Sequence, residues 1–386
     1  MATNSLDTIL AFQLCPPSPD SETHHITHPP EIHSLIHKYS HLFAEPSSLP
    51  PKRLTDHRIP VIPGSNPVNV RPYRYPHFKK QEIETQIQTM LNQGIIRPST
   101  SDFSSSVLLV RKKDGTWRFY VDYRALNSIT VKDRFPIPAI DELLDELYGT
   151  RWFSKLELRF GYHQIQTKES DIHKTDFRTH QGHYEFLVMS FGLSNAPSTF
   201  QTTMNQLFQP YLRQLVYSRT LPDHLHHLEL VFRSLLQQQF LLKMTKCSFA
   251  QTSISYLGHI VSPEGVSPDQ EKIRAMVDWP TPSNVKQLRG FLGLTGFYRK
   301  FVQHYASIVA PLTELLCKDA FNWTLKAQLA FDKLKQAMTE TPVLGLPNFE
   351  EPFVVEFCVK DKAWVQFCVK GVTQYATTAE SSAQSS

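Results

Sequence analysis

A cluster of basic side chains surrounds the tip of a predicted β-hairpin. The segment VLLVRKKDGTWRFYVDYRALN, residues 107–127, predicts a buried strand, a turn at Asp114-Gly115 and a returning strand. The basic residues around this turn are Arg111, Lys112, Lys113 and Arg118. Cations on such a projection suit a triphosphate or a nucleic-acid backbone, although charge alone favours a merely solvated turn.

A single carboxylate stands at the end of a second predicted strand. The stretch FSKLELRFGYHQI, residues 153–165, contains an alternating segment, Lys155 to Leu158, which predicts a short strand. Glu157 lies near its end, directly before a Gly-Tyr turn. The strand would therefore present Glu157 at its margin.

The elements around these residues follow from periodicity and turn signals. Residues 79–93 carry apolar side chains at helical spacing and end before Gly94. The segment YEFLVMSFGLSNAPSTFQ, residues 184–201, predicts a strand, a glycine turn and a new helix with Pro197 in its first turn. The segment DHLHHL, from Asp223, predicts a solvated helix start.

These stretches resemble the reverse transcriptase part of the pol polyprotein of gypsy-type LTR retrotransposons. The resemblance covers about residues 31–358 and implies an α+β fold, a right-hand polymerase with fingers, palm and thumb, followed by a connection and a truncated RNase H-like start. It implies RNA-directed DNA polymerase activity, Mg²⁺ as cofactor, and an RNA/DNA primer–template and dNTP as partners. Site residues implied by the resemblance are Lys112, Lys113 and Arg118 on nucleotide phosphates, Phe191 in the nucleotide pocket, Tyr162 beneath the sugar, and Glu157 on metal.

The sequence departs from the family at the catalytic acids. Glu157 stands where the family has its first metal-binding aspartate, and no Asp-Asp pair occurs anywhere in the sequence. Roughly nine residues of the family's β-hairpin, about a strand and a turn, are missing near Val216–Tyr217. The nearest acidic residues lie in helix-like or loop-like contexts: Asp171, Asp176 and Asp223. We do not expect any of them to replace the missing Asp-Asp pair. We therefore expect Mg²⁺ not to be bound productively.

Four regions are predicted along the chain. Residues 1–76 contain 13 of the 27 prolines and predict an extended leader and linker, with one short helix around 31–43. Residues 77–261 would form fingers and palm, and 262–318 thumb and connection. Residues 319–386 would be a truncated RNase H-like region with a polar tail, in which Cys358 stands where the family has a catalytic aspartate.

The predicted thumb combines basic and aromatic residues. Arg289, Arg299 and Lys300 alternate with Phe291, Phe297 and Tyr298. Such a pattern can follow a nucleic-acid backbone, and it fits a packed core with a basic rim equally well.

Composition indicates a soluble globular protein, with a hydrophobic fraction of 41% and a net charge of +4. Five scattered cysteines argue against a disulfide framework and favour an intracellular compartment. We find no signal peptide pattern and no run of transmembrane length, and expect no membrane partner.

Three interpretations follow. The first is a retrotransposon-derived reverse transcriptase that is catalytically inactive in this copy. The second is a non-catalytic nucleic-acid-binding remnant, and the third is a decayed product that does not fold stably. Salt-dependent binding of a primer–template duplex would distinguish the second from the third, which predicts noncooperative melting.

Overall fold

The computed structural model describes residues 29–111, 115, 117–133, 147–208, 217–317 and 321–346, together with 364–365 and 379–380. Within these ranges the helices are α1 Pro30–Lys38, α2 His77–Asn92, α3 Arg124–Ile129, α4 Ala196–Phe208, α5 Leu221–Gln237, α6 Gln270–Val277, α7 Val285–Phe297, α8 Tyr305–Glu314 and α9 Leu325–Thr339. The strands are β1 Ile96–Pro98, β2 Ser105–Arg111, β3 Trp117–Asp122, β4 Trp152–Lys155, β5 Phe177–Arg178, β6 His183–Phe186, β7 Tyr217–Ser218, β8 Ser248–Gln251, β9 Ile254–Tyr256, β10 His259–Ser262, β11 Gly265–Pro268, β12 Trp364–Val365 and β13 Ala379–Glu380.

The described chain divides into two compact units. The first contains the described residues up to 133 and residues 154–250, and the second contains residues 147–153 and those from 251 onward. The resulting architecture is mixed α+β.

A five-stranded sheet organises the first unit. Its strand order is β1-β6-β5-β2-β3, in which β2 and β3 pair antiparallel and β2 and β5 pair parallel. The hairpin predicted over residues 107–127 is confirmed by the β2–β3 register, which places Val110 opposite Arg118. The helix predicted over 79–93 is confirmed as α2, whose buried face includes Ile83, Ile87 and Met90.

A three-stranded sheet of order β7-β4-β8 carries the predicted acidic strand end. In the first unit, helices α4 and α5 accompany this sheet, and their buried faces include Phe200, Met204, Leu228 and Phe232. Phe232 makes edge-on contact with Phe249 of β8 at a centroid distance of 5.9 Å. The helix predicted after the glycine turn is confirmed as α4, and its apolar face belongs to the core.

The N-terminal strap, residues 44–62, differs from the expected extended linker. Arg53 donates through Nη1 to the carbonyl of Gln164 at 2.6 Å and lies 4.1 Å over the ring of Phe240. The Ile59 side chain is buried. Prolines prevent a regular element here, but the strap satisfies its backbone groups against the first unit instead.

In the second unit, β9, β10 and β11 form a three-stranded antiparallel sheet. The domain boundary expected after residue 261 falls inside β10, which pairs with both neighbours, so this meander cannot be divided there. Helix α9 packs on α6 and α8. Phe331 of α9 contacts Phe291 at a centroid distance of 4.6 Å, so residues 325–339 belong to this core. Cys358 and the remainder of the expected RNase H start lie outside the described residues, apart from β12 and β13.

Across the described segments, no helix is both long enough and apolar enough to cross a membrane.

Candidate functional site

Glu157 lies two residues beyond the end of β4, because that strand ends at Lys155 and does not continue to Leu158 as expected. Its backbone is held by contacts other than strand pairing. The Glu157 carbonyl accepts a hydrogen bond from Lys243 N–H at 2.8 Å, and its N–H points at Cys247 Sγ at 3.4 Å. These contacts to the segment before β8 fix Glu157 at the margin of the sheet.

The Glu157 carboxylate is already paired with a cation. Lys246 Nζ lies 3.0 Å from Glu157 Oε1, and both side chains are about one-third exposed. Burial raises the pKa of the neighbouring Cys247 thiol to about 12, so this group stays protonated beside the carboxylate. Among the described residues, no three His, Cys, Asp or Glu side chains are grouped to hold a metal ion. The described donors therefore do not fit the two Mg²⁺ ions that the family resemblance implies.

The other candidate acids are engaged elsewhere. Asp171 accepts from Lys174 Nζ at 2.6 Å, and Asp223 lies at the start of α5, where Thr220 Oγ1 donates to it at 2.6 Å. Asp176 is completely buried at the entry to β5. None of these contacts involves Glu157.

Replacing Lys246 by methionine should change the free energy of unfolding by less than about 1 kcal/mol, because partly exposed ion pairs contribute little. Urea denaturation at low and high salt would measure this, with Lys243→Met as the matched control. A loss well above that value would show that the pair is a major element of stability.

Two aromatic residues expected at a nucleotide pocket meet in the structure. The rings of Tyr162 and Phe191 have a centroid distance of 4.8 Å, although 29 positions separate them in sequence. Phe200 contacts the Tyr162 ring edge-on at 5.6 Å. Burial raises the pKa of Tyr162 to about 12, so its hydroxyl remains neutral. Phe191 is half-buried and keeps part of its surface accessible.

Side-chain amides hold the turn that carries Phe191. Asn127 Nδ2 donates to the Gly192 carbonyl at 2.8 Å, and Ser194 N–H donates to Asn127 Oδ1 at 2.9 Å. Asn195 Nδ2 donates to the Val131 carbonyl at 2.9 Å. Gly192 has a φ of +95°, which favours glycine, and an added Cβ would lie 3.1 Å from the Val121 carbonyl. The turn is thus fixed against α3 and β3.

The basic hairpin is described only in part. Arg118 on β3 is half-buried, and its Nη1 donates to the Tyr120 hydroxyl at 3.0 Å. Arg111 at the end of β2 is exposed. Lys112 and Lys113 lie outside the described residues.

Strand β7 and helix α5 follow the position at which the resemblance implies a missing hairpin. Residues 209–216 lie outside the described chain, and β7 is only Tyr217–Ser218, next to β4 in the sheet. Helix α5 begins three residues after β7, at Leu221, with Thr220 as its N-cap.

A buried hydrogen-bond chain joins these elements and corrects the expected solvated helix start. His224 is fully buried, with Nε2 2.7 Å from Ser154 Oγ of β4 and Nδ1 3.1 Å from Ser218 Oγ of β7. Ser154 Oγ also accepts from Ala250 N–H at 2.9 Å, and Ser218 Oγ lies 2.9 Å from His227 Nδ1. We call these residues, Ser154, Ser218, His224 and His227, the Ser–His chain. It connects all three strands of the sheet to α5.

The basic residues of the second unit lie on a rim. Arg289 and Arg299 are exposed, while Lys300 is half-buried with Nζ 5.4 Å from the Phe301 ring centre. Phe291 and Tyr298 are core residues, and Phe297 is 43% exposed. Of the three aromatic residues in the predicted pattern, only Phe297 offers a ring face to a ligand.

Two site features have weak sequence signals. Lys246 is separated from Glu157 by 89 positions, so only the fold pairs them. The spacing of Ser218, His224 and His227 places them around one helix start, which is the only signal that the Ser–His chain leaves in the sequence.

Residues 110–261 match the family described as reverse transcriptase (RNA-dependent DNA polymerase). The chain is 41% identical over 307 residues to a retrovirus-related Pol polyprotein from transposon 297 of Drosophila melanogaster, covering 75% of this chain and 29% of that protein. It is 31% identical over 347 residues to the transposon Tf2-3 polyprotein of Schizosaccharomyces pombe, covering 86% of this chain and 26% of that protein. The chain thus spans less than a third of the length of these relatives.

Solved structures show the same fold. A foamy viral protease-reverse transcriptase in complex with double-stranded DNA has a TM-score of 0.82 at 23% identity, over 90% of this chain and 63% of that chain. The same type of protein in complex with an RNA/DNA hybrid has a TM-score of 0.80 at 22% identity, over 90% and 49%. The family match and the two transposon relatives show that this chain contains a reverse transcriptase region of the LTR retrotransposon Pol type.

Proposed function

We propose that this chain is a retrotransposon-derived reverse transcriptase whose polymerase site does not catalyse nucleotide addition. The observation that carries the proposal is the environment of Glu157, a single carboxylate paired with Lys246 at 3.0 Å. Nucleotidyl transfer by this family requires a pair of divalent ions held by several carboxylates. Glutamate also extends one methylene further than aspartate, and a misplacement of about 1 Å can lower a rate on the order of 100-fold.

Primer extension on an RNA template with Mg²⁺ tests this proposal. The control is the same chain with an Asp-Asp hairpin of the family type inserted after Val216 and with Glu157→Asp. We expect no extension by the unmodified chain and measurable extension by the repaired one. Extension by the unmodified chain would overturn the proposal. If neither chain extends the primer, the damage includes the fold itself, as expected for a decayed product.

We further propose that the chain retains binding of primer–template nucleic acid and lacks the chemistry. The Tyr162–Phe191 pair and the half-buried Arg118 on its hairpin support this, because these groups recognise a nucleotide or backbone without requiring the missing acids. The solved neighbours with TM-scores of 0.80 and 0.82 are complexes with an RNA/DNA hybrid and double-stranded DNA. The dNTP is a proposed ligand of the same pocket.

Replacing Arg118 by alanine should weaken primer–template binding about threefold and reduce the salt slope by about 1, if this guanidinium contacts a phosphate. Fluorescence anisotropy at several salt concentrations measures both quantities. Arg124→Ala is the matched control, because Arg124 is already paired with Asp122 at 2.6 Å. Equal effects of the two substitutions would count against a phosphate contact at Arg118.

The order of regions is also proposed from family resemblance: fingers and palm from residue 77, then thumb and connection, then a truncated RNase H-like region, with the boundary expected after residue 261 moved out of the β9–β11 meander. The packing of α9 against α6 and α8 indicates that residues 325–339 continue the second unit. Arg289, Arg299 and Lys300 would meet the nucleic-acid backbone from that unit.

A further inference from the structure

A pocket of about 260 Å³ lies in the first unit beside the segment that follows Glu157. One wall is residues 44–51 of the N-terminal strap. Facing residues include Arg159, Phe160 and His163, and the apolar side chains of Ile95 and Leu241 also line it. Tyr162 and Phe191 do not line this pocket, which is therefore separate from the aromatic pair described above.

Among the described residues that line the pocket, Arg159 is the only one with a permanent positive charge, and its hydrogen-bonding capacity is not filled. Its backbone is fixed, because Arg159 N–H donates to the Leu241 carbonyl at 2.9 Å and its carbonyl accepts from Gln164 Nε2 at 2.6 Å. Nη1 pairs with Glu45, whose side chain is 75% exposed, whereas that of Arg159 is 16% exposed. The buried Nε has no hydrogen-bond partner. Nε is closed to solvent in this state, so an acceptor reaches it only when the guanidinium turns away from Glu45.

The remaining surface suits an aromatic ring. Phe160 is 57% exposed and stacks on His163 at a centroid distance of 6.1 Å with an interplanar angle of 17°. Burial lowers the pKa of His163 to about 4, so its ring is neutral near pH 7 and adds no second positive charge. A planar apolar ligand can therefore lie against Phe160, Ile95 and Leu241 while its acidic group reaches Arg159.

We propose that this pocket binds a small aromatic carboxylate, with the carboxylate on Arg159 and the ring against Phe160. Arginine binds carboxylates through parallel N–H donors, and Nη1 becomes available to such a pair when Glu45 is displaced. The exposed Glu45 side chain is then a competitor that an incoming carboxylate displaces. This inference does not depend on whether the polymerase site is active.

The size of the pocket limits the ligand. A volume of about 260 Å³ is slightly below the range of roughly 300–1,000 Å³ typical of sites for drug-sized molecules, so it suits one or two fused rings. Ligands of this size gain limited free energy per atom, so we expect dissociation constants roughly in the millimolar range or tighter. A two-ring acid such as 2-naphthoate is a suitable probe.

The test is a titration of the full chain with 2-naphthoate, followed by saturation-transfer NMR, beside the neutral isostere 2-naphthamide. We expect saturable binding of naphthoate. The amide should bind more weakly by about tenfold or more, because a hydrogen bond from Arg159 to a charged carboxylate is stronger than one to a neutral amide. Absence of saturable naphthoate binding to the wild-type chain, or equal affinity for the two probes, would be enough to overturn the proposal.

Variants then locate the ligand. Arg159→Gln should weaken naphthoate binding by about tenfold, whereas Arg233→Gln, on the exposed face of α5, should leave it unchanged. Phe160→Gly should weaken it severalfold, and glycine tolerates the φ of +47° at this position. Glu45→Gln should strengthen it, because the competing carboxylate is removed. Unchanged affinity in Arg159→Gln would place the ligand elsewhere and contradict the assignment.

Discussion

Replacing His224 by alanine should lower the free energy of unfolding of the first unit by about 2–4 kcal/mol. The substitution removes a fully buried ring and leaves a cavity, and both Ser154 and Ser218 lose a hydrogen-bond partner. These losses fall on β4 and β7, which are neighbouring strands of the three-stranded sheet. Urea denaturation measures the change in stability.

Two further readouts separate this effect from a general helix effect. His226 is exposed on the same helix, so His226→Ala should change stability by less than about 0.5 kcal/mol. The Ala250 amide donates to Ser154, so its hydrogen exchange should accelerate in His224→Ala and not in the control. Equal effects of the two substitutions would show that the Ser–His chain adds nothing to the sheet.

The pH dependence of this effect follows from burial. Burial lowers the pKa of His224 to about 4, below its ordinary value near 6.5. The folded state thus favours the neutral ring. The contribution of this ring to the free energy of unfolding is complete above pH 6.5 and is lost as the pH falls towards 4. The stability difference between wild type and His224→Ala should therefore shrink over that interval.

Local elements could be predicted from sequence because their signals are local. The β2–β3 hairpin follows from alternation around Asp114-Gly115, and α2 follows from apolar spacing that ends before Gly94. The meeting of Tyr162 and Phe191 could be anticipated only through the family resemblance. Periodicity does not show which strand end faces which turn.

The remaining features depend on long-range packing that periodicity cannot show. The N-terminal strap has too many prolines for a regular pattern, yet Arg53 anchors it to the carbonyls of Gln164 and Gln238. His224 is polar, and its burial depends on Ser154, which lies 70 positions away in sequence and supplies one of its two hydrogen-bond partners. The end of β4 at Lys155, before Glu157, likewise reflects contacts with the segment before β8.

Asp176 is a charged residue whose burial could likewise not be predicted from the sequence pattern. It is completely buried, and neither of its carboxylate oxygens has a hydrogen-bond partner. Burial raises its pKa to about 6, and the neighbouring Glu185 adds to this, while Ser99 and Arg178 oppose it. His183 Nδ1 lies 3.7 Å from Asp176 Oδ1. An ionised carboxylate at this position therefore costs stability.

Replacing Asp176 by asparagine should raise the free energy of unfolding by about 1–2 kcal/mol at pH 8 and have little effect near pH 4. The pKa of Asp176 is higher in the folded state, about 6, than in the unfolded chain, so the native form is favoured by protonation. That stability is complete below the unfolded value and is lost as the pH rises through 6. The full difference in pKa corresponds to at most about 3 kcal/mol, and the partial compensation by Ser99, Arg178 and His183 reduces it. Urea denaturation between pH 4 and 8 measures the change, with Glu169→Gln, at a side chain 70% exposed, as the control. A difference that is independent of pH would show that Asp176 remains in one protonation state throughout, and would contradict its assignment as a buried carboxylate that titrates near pH 6.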